Sequence, residues 1–325
     1  MSVELDYTFH AMGSDVRLLI GQPLIRGAPA PAQIAEREHA FVLDFSRRLS
    51  RFVPDSELTA LNRDPRPEIR ASRLLRAAVT AGLWAAERSD GLVDPTLVRE
   101  LERSGYAESL DGIEPASLVE ALAGAPARRP ARPKAAARWR RIVVDDAKGV
   151  IHRPPGVMID TGGTGKGLCA DAVALRLGAY TRFVVDCGGD IAVGGVAAQL
   201  EPYEIEVEHP LTQARIGTLR VARGGVATSG LNVRIWRDGG GAFAHHLLDP
   251  STGAPAWTGL IGATALGPSA LEAETLSKLA LLLGPAGARQ VLSEHGGVIV
   301  HDDASVETVG PCNWRIEPAA AMTIA

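Results

Sequence analysis

Apolar and polar positions change rhythm along this chain. In "VELDYTF" and "DVRLLIG" apolar residues alternate with polar ones, the period of a half-buried strand, and predict two short strands around a turn at Met12–Ser14. The segment from about Pro31 to Ser50 reads as a helix. Next comes "RFVPDSELTALNR", a short helix capped by Asp55 or Ser56. The run "ASRLLRAAVTAGLWAAERSDG" repeats its apolar residues every three to four, with Gly91 placed to end that helix. "AGAPARRPARPKAAARW" is rich in Pro, Ala and Arg and predicts a solvated surface excursion over about residues 122–137.

From Arg140 the pattern becomes β-rich. "RIVVDD", "GVIHRP", "GVMIDT", "RFVVDCGGDIAVGG", "YEIEVEHP", "IGTLRVA", "GVATSG", "AFAHHLLDP" and "LIGATALG" all alternate or run apolar between turn residues. Two helices interrupt them, "KGLCADAVALRLGA" and "SALEAETLSKLALLLG". This order predicts an α+β fold rather than a regular βαβ array.

At 325 residues the chain is long enough for one large domain or two intimately packed lobes. With 46% hydrophobic residues and a net charge of −4, wholesale capture of nucleic acid is disfavoured, and a small molecule or protein is the expected partner. Three cysteines without a C-x-x-C pair suggest neither a disulfide framework nor a zinc site and fit a reducing compartment. "MSVELDYTFHAMGSDVRLLIG" has no apolar run of signal-peptide or membrane-spanning length, so the expectation is a cytoplasmic protein without stable membrane insertion.

Candidate chemistry concentrates in "MIDTGGTGKGLCAD", Met158 to Asp171. A Walker A loop would need Gly where Asp160 stands and Ser or Thr where Gly167 follows Lys166, and the glycines miss the dinucleotide spacing as well. A glycine loop that delivers the chain into a helix still presents free N–H groups to an anion. Lys166 adds a point charge suited to phosphate, and Asp160 suits hydroxyls or a metal. Gly188 and Gly189 in "VVDCGGDIAVGG" allow close approach of a ligand or simply a tight hairpin. His246 and Asp249 in "AHHLLDPSTGAP" are spaced as a possible base and its orienter, or as ordinary structural residues.

Taken together, these segments resemble the FAD:protein FMN transferases of the ApbE type. The resemblance rests on "MGS" at Met12–Ser14, "SRFVPDSELTALN" at Ser50–Asn62, "GLVDPT" at Gly91–Thr96, "DTGGTGKGLCAD", "DCGGDI", "ATSG" at Ala227–Gly230 and "HLLDPSTGAP" at His246–Pro255, all in the family's order. It implies a single flavin-transferase domain over residues 1–325, two-lobed, with mixed, largely antiparallel sheets and flanking helices. It also implies transfer of the FMN half of FAD to a Thr or Ser hydroxyl of an acceptor flavoprotein domain, with release of AMP. The alternative is a protein that only binds FAD or hydrolyses it.

By position in the family's motifs, Phe52 is expected on the adenine, with Asp94 and Asp171 near the adenosine. Asp160, Gly162, Gly163, Lys166 and Gly167 are expected at the pyrophosphate. Met12, Gly13, Ser229 and Gly230 are expected along the flavin and ribityl chain, with Gly188 and Gly189 as a further backbone contact. His246 with Asp249 is the candidate base or a contact to the flavin ring, and Lys166 completes the catalytic set. The family holds Mg²⁺ through a glycine-loop carbonyl, matching Gly165, and through Asp and Thr at positions occupied here by Glu274 and Lys278. Glutamate retains hard oxygens, but a protonated lysine is no ligand. Lys278 therefore either puts an ammonium in the place of the cation or forms an ordinary i,i+4 pair with Glu274.

Overall fold

The computed structural model describes residues 4–316. Its scaffold is an eight-stranded antiparallel sheet of Leu5–Ala11, Ser14–Ile20, Phe183–Cys187, Asp190–Gly194, Gly224–Gly230, Leu260–Gly267, Gly297–His301 and Val306–Val309. These strands lie side by side in chain order. Everything between Ile20 and Phe183 is one long excursion from the sheet. It contains helices α1 (Pro31–Leu49), α2 (Glu57–Arg63), α3 (Arg73–Arg88), α4 (Val98–Arg103) and α5 (Leu118–Gly124), and a small sheet of Glu68–Arg70, Val150–His152 and Val143–Asp145. Helices α6 (Gly165–Arg176) and α7 (Ala270–Leu292) pack on the main sheet and on each other. The α+β class and the largely antiparallel sheets are as expected.

Apolar residues of α1, α2, α3 and α6 close over the first three strands in one core, around Leu18, Val42, Leu58 and Val173. A second core, around Leu231, Ile261 and Leu281, lies between α7 and the later strands. At the N-terminal hairpin, Met12 (φ 56°) and Gly13 (φ 67°) both take left-handed backbone, as a two-residue type I′ turn demands. A residue other than glycine is uncommon at such a position. Helix α2 is capped by Ser56, whose Oγ accepts the Thr59 N–H at 2.9 Å. Helix α3 gives way to Asp90 and Gly91, both at positive φ. Helix α7 continues past the predicted segment, with a break at Gly284 (φ 71°) before Pro285.

Two expectations change. "GVMIDT" is extended but belongs to no strand, because the side chain of Asn62 satisfies it instead: Nδ2 donates to the Ile159 carbonyl and Oδ1 accepts the Ile159 N–H, both at 2.8 Å. The excursion at 122–137 is largely exposed but tied down. It begins in the last turn of α5, and Ala131 is buried with its N–H on the Leu282 carbonyl at 2.8 Å. Among the described residues no helix is long and apolar enough to cross a membrane.

Candidate functional site

Two adjoining cavities open where the long excursion meets the sheet. The larger, about 680 Å³, is bordered by Met12, Gly13, Gly165 and Lys166, and the smaller, about 140 Å³, by Asp94, Gly163, His246 and Lys278. Arg51, Phe52, Tyr106, Asp160, Gly162 and Arg234 line both. Residues from the hairpin turn, the loops around α2 and α4, the glycine loop and α7 thus converge on one place.

The smaller cavity is built on aromatic rings. Phe52 and Tyr106 tilt together at 5.4 Å, and the Arg51 guanidinium lies over both, 4.1 and 4.7 Å from the ring centres. Arg51 is fixed from behind, donating Nη2 to the Tyr106 carbonyl at 2.6 Å and standing 3.3 Å from Asp160. Asp94 points one oxygen at its own turn, accepting the Thr96 N–H and hydroxyl at 2.8 and 2.6 Å, while Oδ2 is buried without a partner. Burial raises the Asp94 pKa. An unmatched acceptor in an aromatic-lined wall is a place for a donor on a ligand.

Arg234 lines both cavities, Lys166 the larger and Lys278 the smaller. Lys166 loses basicity to burial, a loss that Arg234 and Lys278 deepen and that Asp190 and Glu274 oppose. Burial pushes the Asp190 pKa up, and Glu274 adds to the effect, while Lys278 and Lys166 oppose it. Lys278 donates Nζ to Glu274 Oε1 at 2.9 Å, one turn back on α7, and Glu274 Oε2 accepts the Gly167 N–H at 2.8 Å. Both Glu274 oxygens are therefore engaged at a position 1% exposed. Among the described residues no three His, Cys, Asp or Glu side chains are grouped to hold a metal ion. As arranged, Glu274 and Lys278 do not fit a Mg²⁺ site.

The two adjacent histidines divide where the strand Phe243–His245 ends: His245 closes the strand and His246 lies in the bend after it. His245 is fully buried edge-on to Trp257, ring centres 4.8 Å apart, and burial pushes it down to about 3. His246 faces the smaller cavity, with Nδ1 3.4 Å from the Arg234 carbonyl oxygen. A carbonyl can only accept, so Nδ1 carries the proton and Nε2 keeps its lone pair. Burial holds the His246 pKa well below the usual range, with Arg234, His245 and Lys278 adding to the effect.

Other expected site residues border neither cavity. Asp171, expected by the adenosine, caps α7 instead, accepting the Ala270 and Leu271 N–H groups at 2.8 and 3.0 Å. Asp249 does not hold His246. Its Oδ1 accepts from the Ser251 N–H and hydroxyl and from the Arg132 N–H, closing a turn against the excursion. The Gly167 N–H is spent on Glu274 rather than left for an anion, and a Cβ there would stand 2.7 Å from the Ala270 carbonyl oxygen. Gly188 packs where a Cβ would meet Ser14 Oγ at 2.3 Å and Lys166 Nζ at 2.9 Å, so its bareness makes room for the lysine. Gly189 completes that hairpin, its N–H on Asp186 at 2.7 Å. Ser229 is buried against Ser277, hydroxyl to hydroxyl at 2.8 Å, and Gly230 packs on Asn232.

The ApbE family model matches residues 12–300. The chain belongs to the ApbE family. Its relatives include proteins named FAD:protein FMN transferase from Klebsiella pneumoniae (strain 342), 25% identical over 257 residues, 77% of this chain and 71% of the relative. Another, from Treponema pallidum (strain Nichols), is 27% identical over 287 residues, 83% and 77% of the two chains. The ApbE protein of Thermotoga maritima superposes with a TM-score of 0.75 at 25% identity, covering 94% of this chain and 97% of that one. The flavin transferase ApbE of Vibrio cholerae, 18% identical, shares the fold with a TM-score of 0.72 over 95% and 98% of the two chains. Motif reading did not reach two residues that line both cavities, Arg51 beside Phe52 and Arg234.

Proposed function

We propose that this chain transfers the FMN half of FAD to a Thr or Ser hydroxyl of an acceptor protein and releases AMP. The observation that carries the reading is the pair of adjoining cavities with Arg234 lining both, Lys166 on the larger and Lys278 on the smaller. FAD has the same plan: an aromatic head at each end and a dianionic pyrophosphate between.

In this reading the adenine lies against Phe52 and Tyr106, with Asp94 Oδ2 accepting a hydrogen bond from the adenosine half. The flavin occupies the larger cavity beside Met12 and Gly13. The acceptor oxygen attacks the FMN phosphorus in line with the oxygen bridging to AMP. The new P–O bond forms as the bridge breaks, and AMP leaves with the bridging oxygen. Little covalent chemistry falls to the protein, so positioning and charge stabilisation dominate. Lys166 and Arg234 stabilise charge on the pyrophosphate, and Asp160 holds Arg51 in place. His246 Nε2 takes the hydroxyl proton. Its depressed basicity is matched to this task once the dianion arrives, because a nearby negative charge favours the imidazolium.

The three cysteines without a C-x-x-C pair support a reducing compartment, the cytoplasm. The test is direct. Purified protein with FAD, Mg²⁺ and an acceptor flavoprotein domain should raise the acceptor's mass by one FMN and release AMP in equal amount. Absence of an adduct across several acceptors and metals refutes the transferase reading, and FMN plus AMP without an adduct identifies a hydrolase.

A further inference from the structure

The Glu274 to Lys278 pair lies behind the wall of the smaller cavity, not on an outer helix face. Lys278 is 12% exposed and borders the smaller cavity, and Glu274 is closed off by the Gly167 N–H on one oxygen and by Lys278 on the other. A divalent ion seated on Glu274 would have to displace the ammonium from a buried carboxylate, and Mg²⁺ sheds its waters reluctantly. The site therefore already holds a cation, covalently attached to α7. Glu274 fixes its position through the helix spacing, and the Gly167 N–H fixes Glu274 in turn.

Lys278 is tied to the glycine loop through Glu274, whose other oxygen accepts the N–H of Gly167, the residue after Lys166. Arg234 and Lys278 both act electrostatically on Lys166 and on His246. Against them stand Glu274 and the buried Asp190. Arg234 reaches both cavities and its Nη2 lies 3.6 Å from where a Cβ on Gly13 would be, so the three cations span from the hairpin turn to α7.

We propose that Lys278, held by Glu274 and acting with Lys166 and Arg234, supplies the positive charge for a pyrophosphate, so that this chain binds its dinucleotide without a divalent cation. The inference rests on the FAD reading of the site and specifies how that ligand's charge is met.

The experiment measures FAD affinity by calorimetry and flavin fluorescence, in EDTA and in excess Mg²⁺, for wild type and for Lys278→Met, Lys278→Arg and Lys278→Thr. Metal content of the purified protein is read alongside. Wild type should bind with the same affinity in both buffers and carry no stoichiometric metal. Lys278→Met should weaken binding in EDTA about 10- to 100-fold, the range for loss of a charge-assisted hydrogen bond, while Lys278→Arg retains most of it. Lys278→Thr frees Glu274 and should bind more tightly with Mg²⁺ than without. ADP should follow the same pattern, and adenosine, which lacks the pyrophosphate, should bind alike to wild type and Lys278→Met. Wild-type binding that appears only with Mg²⁺ overturns this inference alone, as does Lys278→Met binding FAD like wild type. No binding in either buffer overturns the FAD reading with it. The wild-type comparison decides the question even if a variant fails to fold.

Discussion

His245 makes folding stability depend on pH in a way that can be isolated by one substitution. The imidazole is fully buried beside Trp257, and burial depresses its pKa from 6.5 to about 3. In the unfolded chain it titrates at its ordinary value, so between these two values the unfolded state binds a proton that the folded state refuses. The stabilisation is complete above pH 6.5 and is lost as pH falls toward 3. Linkage gives its size: from pH 7.5 to pH 5 this one group removes about 2 kcal/mol, and each further pH unit down to the folded pKa removes about 1.4 kcal/mol more. Other groups titrate over the same range, so the readout is a difference. Urea melts of wild type and His245→Leu at pH 7.5 and 5 should show the variant losing about 2 kcal/mol less on acidification. Leucine offers a similar apolar volume to Trp257 and cannot titrate. Parallel pH dependence in the two proteins would refute a depressed, buried His245.

Phe52→Ala should raise KM for FAD about 5- to 150-fold, the cost of about 1–3 kcal/mol for removing a ring under a base, with kcat much less affected. Steady-state kinetics with a saturating acceptor checks this, and an unchanged KM removes Phe52 from the adenine site. Gly167→Ala pushes a methyl against the Ala270 carbonyl at 2.7 Å and should cost about 1–3 kcal/mol as α6 and α7 separate. A thermal melt unchanged from wild type would show that the helices have slack at that contact.

Local chemistry was readable where one residue and its near neighbours decide the outcome. Alternation marked the hairpin at Met12 and Gly13, and Ser56 announced the start of α2. The apolar run "GVIVH" at Gly297–His301 carries a strand signal of the same kind and forms a strand of the main sheet. What periodicity could not reveal is partnership at long range. Asp171 stands in a binding motif, yet its oxygens are committed to amides about a hundred residues away at the start of α7. Asp249 is likewise given to its own turn and to Arg132. "GVMIDT" reads as a strand because it is apolar, and only the distant Asn62 explains why it needs no sheet neighbour. Tyr106 sits in an irregular loop with no repeating pattern, so its place beside Phe52 was invisible. The Glu274 to Lys278 spacing gave both of its alternatives in sequence, and depth in the fold is what separates a surface pair from a buried one.

The chain-order sheet has a consequence for how the molecule assembles. Most neighbouring strands are joined through short or moderate connections, but Ser14–Ile20 must wait for Phe183–Cys187 before it gains its second edge. During synthesis the hairpin emerges long before Phe183–Cys187 and has an open strand edge while the excursion is made, a state exposed to wrong pairing. Joining Val16 to Cys187 closes a very long loop, the kind of non-local contact that slows folding. The glycine turn at Gly188 and the seat of Lys166 lie at that same seam, so the lysine gains its seat only once this long-range pairing is made. A chain that has not finished folding has no charged pocket with which to capture its dinucleotide.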